Sequence, residues 1–137
     1  MLYKGRSYID TIMKQHGFVW EQMASGNSSG GNFDSGRYVN GNRSLELHFR
    51  FSLGLVTYHM GDISISHEDY MRHIAPRGAA EYPGFSDEPL SAFSHLANDL
   101  SKYASDFLSG TGDDLIAAKA SSVKMEKRSG FQRLSST

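Results

Sequence analysis

Alternating side chains between residues 43 and 65 constrain the fold of this chain more than any other feature. Apolar residues recur there at nearly every second position, and two pairs typical of turns, Leu53-Gly54 and Gly61-Asp62, interrupt the alternation. A period of two is typical of strands that bury one face, and glycine favours the tight turns of hairpins. The segment therefore predicts an antiparallel β-meander.

The predicted strand over residues 44–51 separates an apolar face from a polar face. Its apolar side chains are Leu45, Leu47, Phe49 and Phe51, and its polar ones are Glu46, His48 and Arg50. A tight turn centred on Leu53-Gly54 would fix the register with the next strand. That register pairs Phe51 with Val56, Phe49 with Tyr58, Leu47 with Met60, His48 with His59 and Arg50 with Thr57. A slip of one residue would destroy this polar constellation.

The polar face of the meander is the candidate functional site. Its members are Glu46, His48, Arg50, Thr57 and His59. We predict an accessory or interaction protein that uses this face to bind another protein or a small ligand, because the catalytic motifs that the chain resembles are incomplete or lack the required context. A solvated strand face on which Glu46 and Arg50 merely pair is the simpler interpretation.

An enzyme or a metal-binding protein is the alternative function for the same face. Histidine transfers protons near neutral pH, so His48 or His59 could act as acid and base while Arg50 binds an anionic substrate. His48, His59 and Glu46 are also ordinary ligands for zinc or iron. Their spacing alone does not secure a complete set of ligands, so neither a metal nor a cofactor is predicted.

The composition bounds the class of protein. With 137 residues, 39% of them hydrophobic, the chain suits one domain, which we expect over residues 1–128, followed by a disordered tail over residues 129–137. A formal net charge of −1 makes nucleic-acid binding an unfavoured function. The chain has no cysteine, no secretory signal pattern and no long apolar segment, so we expect a cytoplasmic protein without a membrane span.

The segment before the meander predicts a helix and then a strand. Ser7 begins a capping-box pattern, apolar residues follow at helical spacing, and Gly17 is placed to end the helix. Residues 18–24 favour a strand, although a helix that continues through Gly17 to Met23 is the alternative.

A flexible loop is predicted next. Residues 25–36 are rich in glycine and serine, which favour turns. A short strand over residues 37–39 follows, and Asn40-Gly41 predicts a hairpin turn into the meander.

Helices are predicted after the meander. A capping box at Ser66 begins a helix that must end near Pro76. A longer helix, capped by Ser86 or Asp87 and ended by Gly110, carries an apolar stripe. A last helix is predicted over residues 113–126, because acidic residues open it and lysines lie near its end.

Two short motifs resemble catalytic signatures but lack the required context. His67-Glu68 begins like the zinc-binding HExxH motif, but Met71 stands where the second histidine is needed, and Glu68 is placed to pair with Arg72. Residues 26–30 match G-x-S-x-G, but the sequence that follows cannot begin a stable helix.

The predicted architecture is an α+β domain. An N-terminal helix precedes an antiparallel meander of four or five strands, and two or three C-terminal helices pack on the apolar face of the sheet. This order is common among small accessory and interaction proteins. A homodimer that pairs exposed strand edges is a further alternative.

Overall fold

The computed structural model of the chain describes residues 2–28, 31–50, 52–82 and 90–135. It confirms the predicted α+β architecture, with five antiparallel strands in the order β1-β2-β3-β4-β5. The elements are α1 (Leu2–Gln15), β1 (Val19–Ser28), β2 (Gly31–Asn40), β3 (Arg43–Arg50), β4 (Ser52–Met60), β5 (Ile63–Ser66), α2 (His67–Ile74), α3 (Ser91–Tyr103), α4 (Ser105–Ser109) and α5 (Asp113–Ser135).

The N-terminal helix ends where the sequence predicts but begins earlier. Gly17 has a φ of +83°, and its N–H donates to the carbonyl of Lys14 at 3.0 Å. The N–H of Phe18 donates to the carbonyl of Met13 at 3.0 Å, so the two bonds form a Schellman-type C-cap. Helix α1 already includes Leu2, so Ser7 lies within it and does not cap it.

The first hairpin is longer than predicted. The predicted strand over residues 18–24 is confirmed, but the predicted loop over residues 25–36 is wrong, because β1 and β2 stay paired from Val19 and Val39 out to Ser28 and Gly31. Cross-strand hydrogen bonds here override the turn propensity of glycine and serine. Since β2 follows β1, the G-x-S-x-G match does not lie at a strand-to-helix turn.

The two outer turns of the meander lie at or near their predicted positions. Gly61-Asp62 connects β4 to β5 as predicted, and Gly61 has a φ of +59°. The turn between β2 and β3 is Gly41-Asn42, since Asn40 pairs with Arg43. It is therefore one residue later than the predicted Asn40-Gly41 turn.

The register between β3 and β4 differs from the predicted one by four residues. The observed pairs include Leu45 with Tyr58, Leu47 with Val56, Ser44 with His59, Glu46 with Thr57 and His48 with Leu55. The strands do not turn at Leu53-Gly54, because Leu53 is buried and pairs with Phe49. Phe51 lies outside the described residues. Since a shift of four is even, every side chain keeps its predicted face.

The core lies between one face of the sheet and the helices. Tyr38, Leu45, Leu47, Val56, Tyr58 and Ile65 are buried on this face. Phe18 and Phe49 are buried in the same core. Helix α1 also packs closely on α3, where Gly5 lies against the ring of Phe93.

The predicted long helix before Gly110 is divided in two. Its predicted caps, Ser86 and Asp87, lie outside the described residues. Helix α3 ends at Tyr103, and the short α4 follows the buried Ala104. The Arg43 guanidinium donates to the carbonyls of Asp106, Phe107 and Gly110 at 3.2, 2.8 and 2.7 Å. It thereby satisfies the C-terminal end of α4.

The last helix is longer than predicted. Helix α5 continues past Glu126 to Ser135. Disorder over residues 129–137 and a domain limit at residue 128 stay predictions.

Candidate functional site

The sheet face that points away from the core carries the candidate site. We call it the open face; its described side chains include Val19, Glu21, Phe33, Ser35, Arg37, Val39, Ser44, Glu46, His48, Arg50, Leu55, Thr57, His59 and Ser64. The open face includes two of the most exposed large apolar side chains, since Val19 is 69% and Leu55 is 63% exposed. All five predicted site residues lie on β3 and β4, with Arg50 at the end of β3.

Glu46 joins the two histidines of the open face. One carboxylate oxygen accepts a hydrogen bond from Nε2 of His48, and the other accepts one from Nε2 of His59 at 2.9 Å. The predicted pairing of His48 directly opposite His59 is wrong, because His59 faces Ser44 and His48 faces Leu55. The histidines come together instead by flanking Glu46 along and across the strands. We call this group the histidine–glutamate triplet.

The triplet fixes where the imidazole protons lie. An ionised carboxylate only accepts hydrogen bonds, so Nε2 of each imidazole carries the hydrogen that is shared with Glu46. Partial burial acts to raise the pKa of Glu46, but the hydrogen bonds and electrostatic attraction of the two imidazoles outweigh it. The pKa of Glu46 is therefore held below its usual value of 4.5.

The other two predicted site residues take different positions. Thr57 lies directly opposite Glu46 on β4. The predicted pair between Glu46 and Arg50 is not observed, because the Arg50 guanidinium lies 5.5 Å from the ring centre of Phe33 while Glu46 binds the histidines.

A shallow depression of about 320 Å³ adjoins the triplet. Its lining includes Arg37, Ser44, Glu46 and His59. Arg37 is neutralised by Glu21, with a distance of 2.8 Å between Nη2 and Oε1. Among the described side chains, no group of three or more histidine, aspartate or glutamate residues is arranged to hold a metal ion. The depression offers hydrogen-bonding groups rather than a concentrated charge.

A second histidine network is fully buried, and sequence reasoning missed it. The hydroxyl of Tyr58 donates to Nδ1 of His67 at 2.7 Å, and Nε2 of His67 donates to Asp99 at 2.9 Å. His67 is 1% exposed, and Tyr58 and Asp99 are 0% exposed. Burial prevents this group from meeting a substrate, so its role is structural.

Asp99 connects three parts of the fold. Besides His67 on α2, it accepts the backbone N–H groups of Glu81 and Tyr82 at 2.7 and 2.8 Å. Burial acts to raise the pKa of Asp99, but these hydrogen bonds outweigh it and lower the pKa below the usual 3.8. A carboxylate with several donors is the arrangement that allows a charge to be buried.

The start of α2 differs in part from its prediction. Ser66 caps the helix as predicted, since its hydroxyl accepts the N–H of Asp69 at 3.2 Å. His67 lies in the first turn of the helix and is buried. The predicted pair of Glu68 with Arg72 is wrong, because Arg72 binds Asp69 at 2.9 Å. That alternative is one residue closer on the same helix and equally compatible with helical spacing.

Replacing Glu46 with glutamine is expected to lower the free energy of unfolding by about 0.5–1 kcal/mol at pH 7. The neutral amide cannot form the two charge-assisted hydrogen bonds that the partly exposed carboxylate accepts. A lowered pKa in the folded state contributes stability above the unfolded pKa, and this contribution disappears as pH falls through the folded pKa. The difference between wild type and variant should thus shrink as the pH falls below about 4.5, the usual pKa of a glutamate carboxyl. Urea unfolding at several pH values measures it; a difference that persists at the lowest pH would contradict the account.

Comparison with known proteins does not explain this arrangement. It found no matching family model, no matching curated protein and no matching solved structure. Within the described part of the chain, no helix is long and apolar enough to cross a membrane. The geometry of the open face is therefore the basis for a proposed function.

Proposed function

We propose that the chain is an accessory or interaction protein that binds another protein through its open face. The observation that supports this proposal is the one-sided packing of the fold: the core lies on one face of the sheet, while the histidine–glutamate triplet lies on the other. Each carboxylate oxygen of Glu46 accepts a hydrogen bond within the triplet, so a partner that covers it leaves neither oxygen without a donor.

Apolar side chains on both sides of the triplet support a protein partner more than a small ligand. Leu55 lies opposite His48, and Val19 lies on the edge strand, and both are largely exposed. Apolar anchors next to satisfied polar groups are common in protein interfaces. The shallow depression beside His59 would bury little of a small ligand, whereas ligand sites usually enclose most of one.

A matched pair of variants tests the proposal. Leu55→Glu changes the open face, and Ile116→Glu makes the same change at an exposed residue, 45% accessible, on α5. Partners captured from a lysate by the wild type are purified and their Kd values measured against all three proteins. We expect Leu55→Glu to weaken binding at least about tenfold and Ile116→Glu to leave it unchanged. A partner that is lost only with Ile116→Glu would reject the open face as the binding surface.

An enzyme that uses Glu46, His48, Arg50 and His59 is the second candidate. The observation that favours it is the hydrogen bond from each imidazole to Glu46, because a carboxylate orients a histidine that acts as a general base. The metal-binding form of this alternative, with His48, His59 and Glu46 as ligands, is not favoured, because the described residues include no group of three such side chains arranged to hold a metal ion.

Metal analysis and thermal-shift titration distinguish this candidate. Wild type is compared with His48→Ala and His59→Ala in the presence of zinc, nickel or iron. Stabilisation that both variants lose would place the metal or enzyme function first, because a site of this kind needs both histidines in one geometry. Absence of any shift would leave the protein partner as the better proposal.

Location and partner class complete the proposal. A cytoplasmic location is favoured by the lack of cysteine, and no cofactor is included. Nucleic acid stays an unfavoured partner because the formal net charge is −1.

A further inference from the structure

Strand β1 forms a long free edge of the sheet. It has ten residues, and within the described chain only β2 pairs with it. The side chains of residues 21–26 are all exposed. Unpaired N–H and C=O groups on such an edge readily bind another extended chain.

The opposite edge of the sheet is different. Strand β5 has four residues, continues directly into α2 and contacts α5. A short strand that is covered by helices offers little backbone for pairing. Each copy of the chain therefore presents one long edge that is free to pair.

The free edge lacks the residues that usually prevent pairing. Residues 19–28 include no lysine and no proline, and their single charged side chain, Glu21, is neutralised by Arg37 of the same chain. Val19 and Met23 are 69% and 47% exposed and add apolar surface to the edge. Pairing here would bury apolar atoms without leaving an uncompensated charge.

We propose that β1 pairs antiparallel with β1 of a second copy, so that two five-stranded sheets join into one. A two-fold axis at Glu21 would place two carboxylates side by side, which is unfavourable. An axis near Met23 instead places Glu21 opposite Ser25 and brings the two exposed Met23 side chains together. Because each copy has one free edge, assembly closes at the dimer and does not continue into a filament.

The dimer is expected to be weak. A β-bulge interrupts the ladder between Gln22 and Ala24, and bulges reduce the tendency of an edge strand to pair. The interface also involves only one strand of each copy, so it buries much less surface area than a stable complex of standard size. We therefore expect a Kd on the order of 10–100 µM.

Sedimentation analysis of the full chain up to about 500 µM tests the proposal across this expected range of Kd. Met23→Lys places a charge at the centre of the edge, and Ile116→Lys makes the same change on α5. Wild type and Ile116→Lys should dimerise, while Met23→Lys should stay monomeric with an unchanged thermal midpoint. A wild type that is monomeric throughout, or a dimer that tolerates Met23→Lys, would overturn it.

Introduced cysteines locate the interface independently, because the chain has none of its own. Met23→Cys is expected to form a covalent dimer under mild oxidation, whereas Leu55→Cys, exposed on the open face, should not. Cross-linking by Leu55→Cys alone would show that copies associate through the open face and would overturn the edge proposal. If β1 binds only a different protein, the proposed dimer is overturned as well.

Discussion

Replacing Asp99 with alanine is expected to destabilise the protein by about 3–5 kcal/mol, or to prevent folding. The substitution removes the carboxylate that accepts from His67 and from the backbone N–H groups of Glu81 and Tyr82. Because His67 and Tyr82 are buried together with Asp99, water cannot replace the acceptor that they lose without opening the core. Urea unfolding followed by circular dichroism measures the loss.

Two further variants separate this effect from loss of any carboxylate. Asp69→Ala removes a partly exposed carboxylate that binds Arg72, and it should cost about 1 kcal/mol or less. Tyr58→Phe removes only the hydroxyl at the other end of the network, and it should cost about 1–3 kcal/mol, since Nδ1 of His67 loses its donor. If Asp99→Ala were as stable as Asp69→Ala, the buried network would contribute little, and its structural role would be rejected.

Replacing Phe93 with alanine is the second large effect, with an expected loss of about 3–5 kcal/mol. Phe93 is fully buried, and its ring stacks on Phe49 with 5.9 Å between centres. The ring also lies against Gly5 of α1, so it joins α1 to the sheet through α3. Loss of the ring leaves a cavity that two helices and a strand cannot all close. Ile116→Ala, at an exposed apolar residue, should change stability by less than about 0.5 kcal/mol.

A double-mutant cycle tests the contact between Phe93 and Gly5. A β-carbon at Gly5 would overlap the Phe93 ring, so Gly5→Ala should cost about 1–3 kcal/mol. In the Phe93→Leu background the same change should cost less, because the smaller side chain leaves room. If the loss of stability in the double variant equals the sum of the two single losses to within about 0.5 kcal/mol, the two residues are not in contact.

The fold class could be predicted because the alternation in residues 43–65 depends only on residues that are neighbours in the chain. Each side chain of β3 lies on its predicted face, since face depends only on odd or even position. Register depends on where the chain turns, and the buried Leu53 remains in the strand because it packs in the core. Glycine and serine in residues 25–28 suggested a loop, but pairing with β2 overrides that preference.

The sequence predicted which side chains share the polar face but not which of them contact one another. Glu46 was expected to pair with Arg50, yet it binds His48 on the same strand and His59 on the neighbouring strand. The buried network had one signal in the sequence: Asp99 lies three residues after Leu96 and next to Leu100, within the apolar stripe of α3. A carboxylate at a buried position requires donors, but those donors are far away in sequence and only the fold identifies them.

Cysteine reactivity at two adjacent residues tests the central claim that one sheet face is open. Leu55→Cys lies on the open face, whereas Val56→Cys lies in the core, and the native chain contributes no thiol. The expected result is rapid modification of Leu55→Cys by a thiol reagent, at nearly the rate of the unfolded protein, and modification of Val56→Cys that is at least about a hundredfold slower. Slow modification at both residues would show that the face is covered, and the proposed binding surface would not exist.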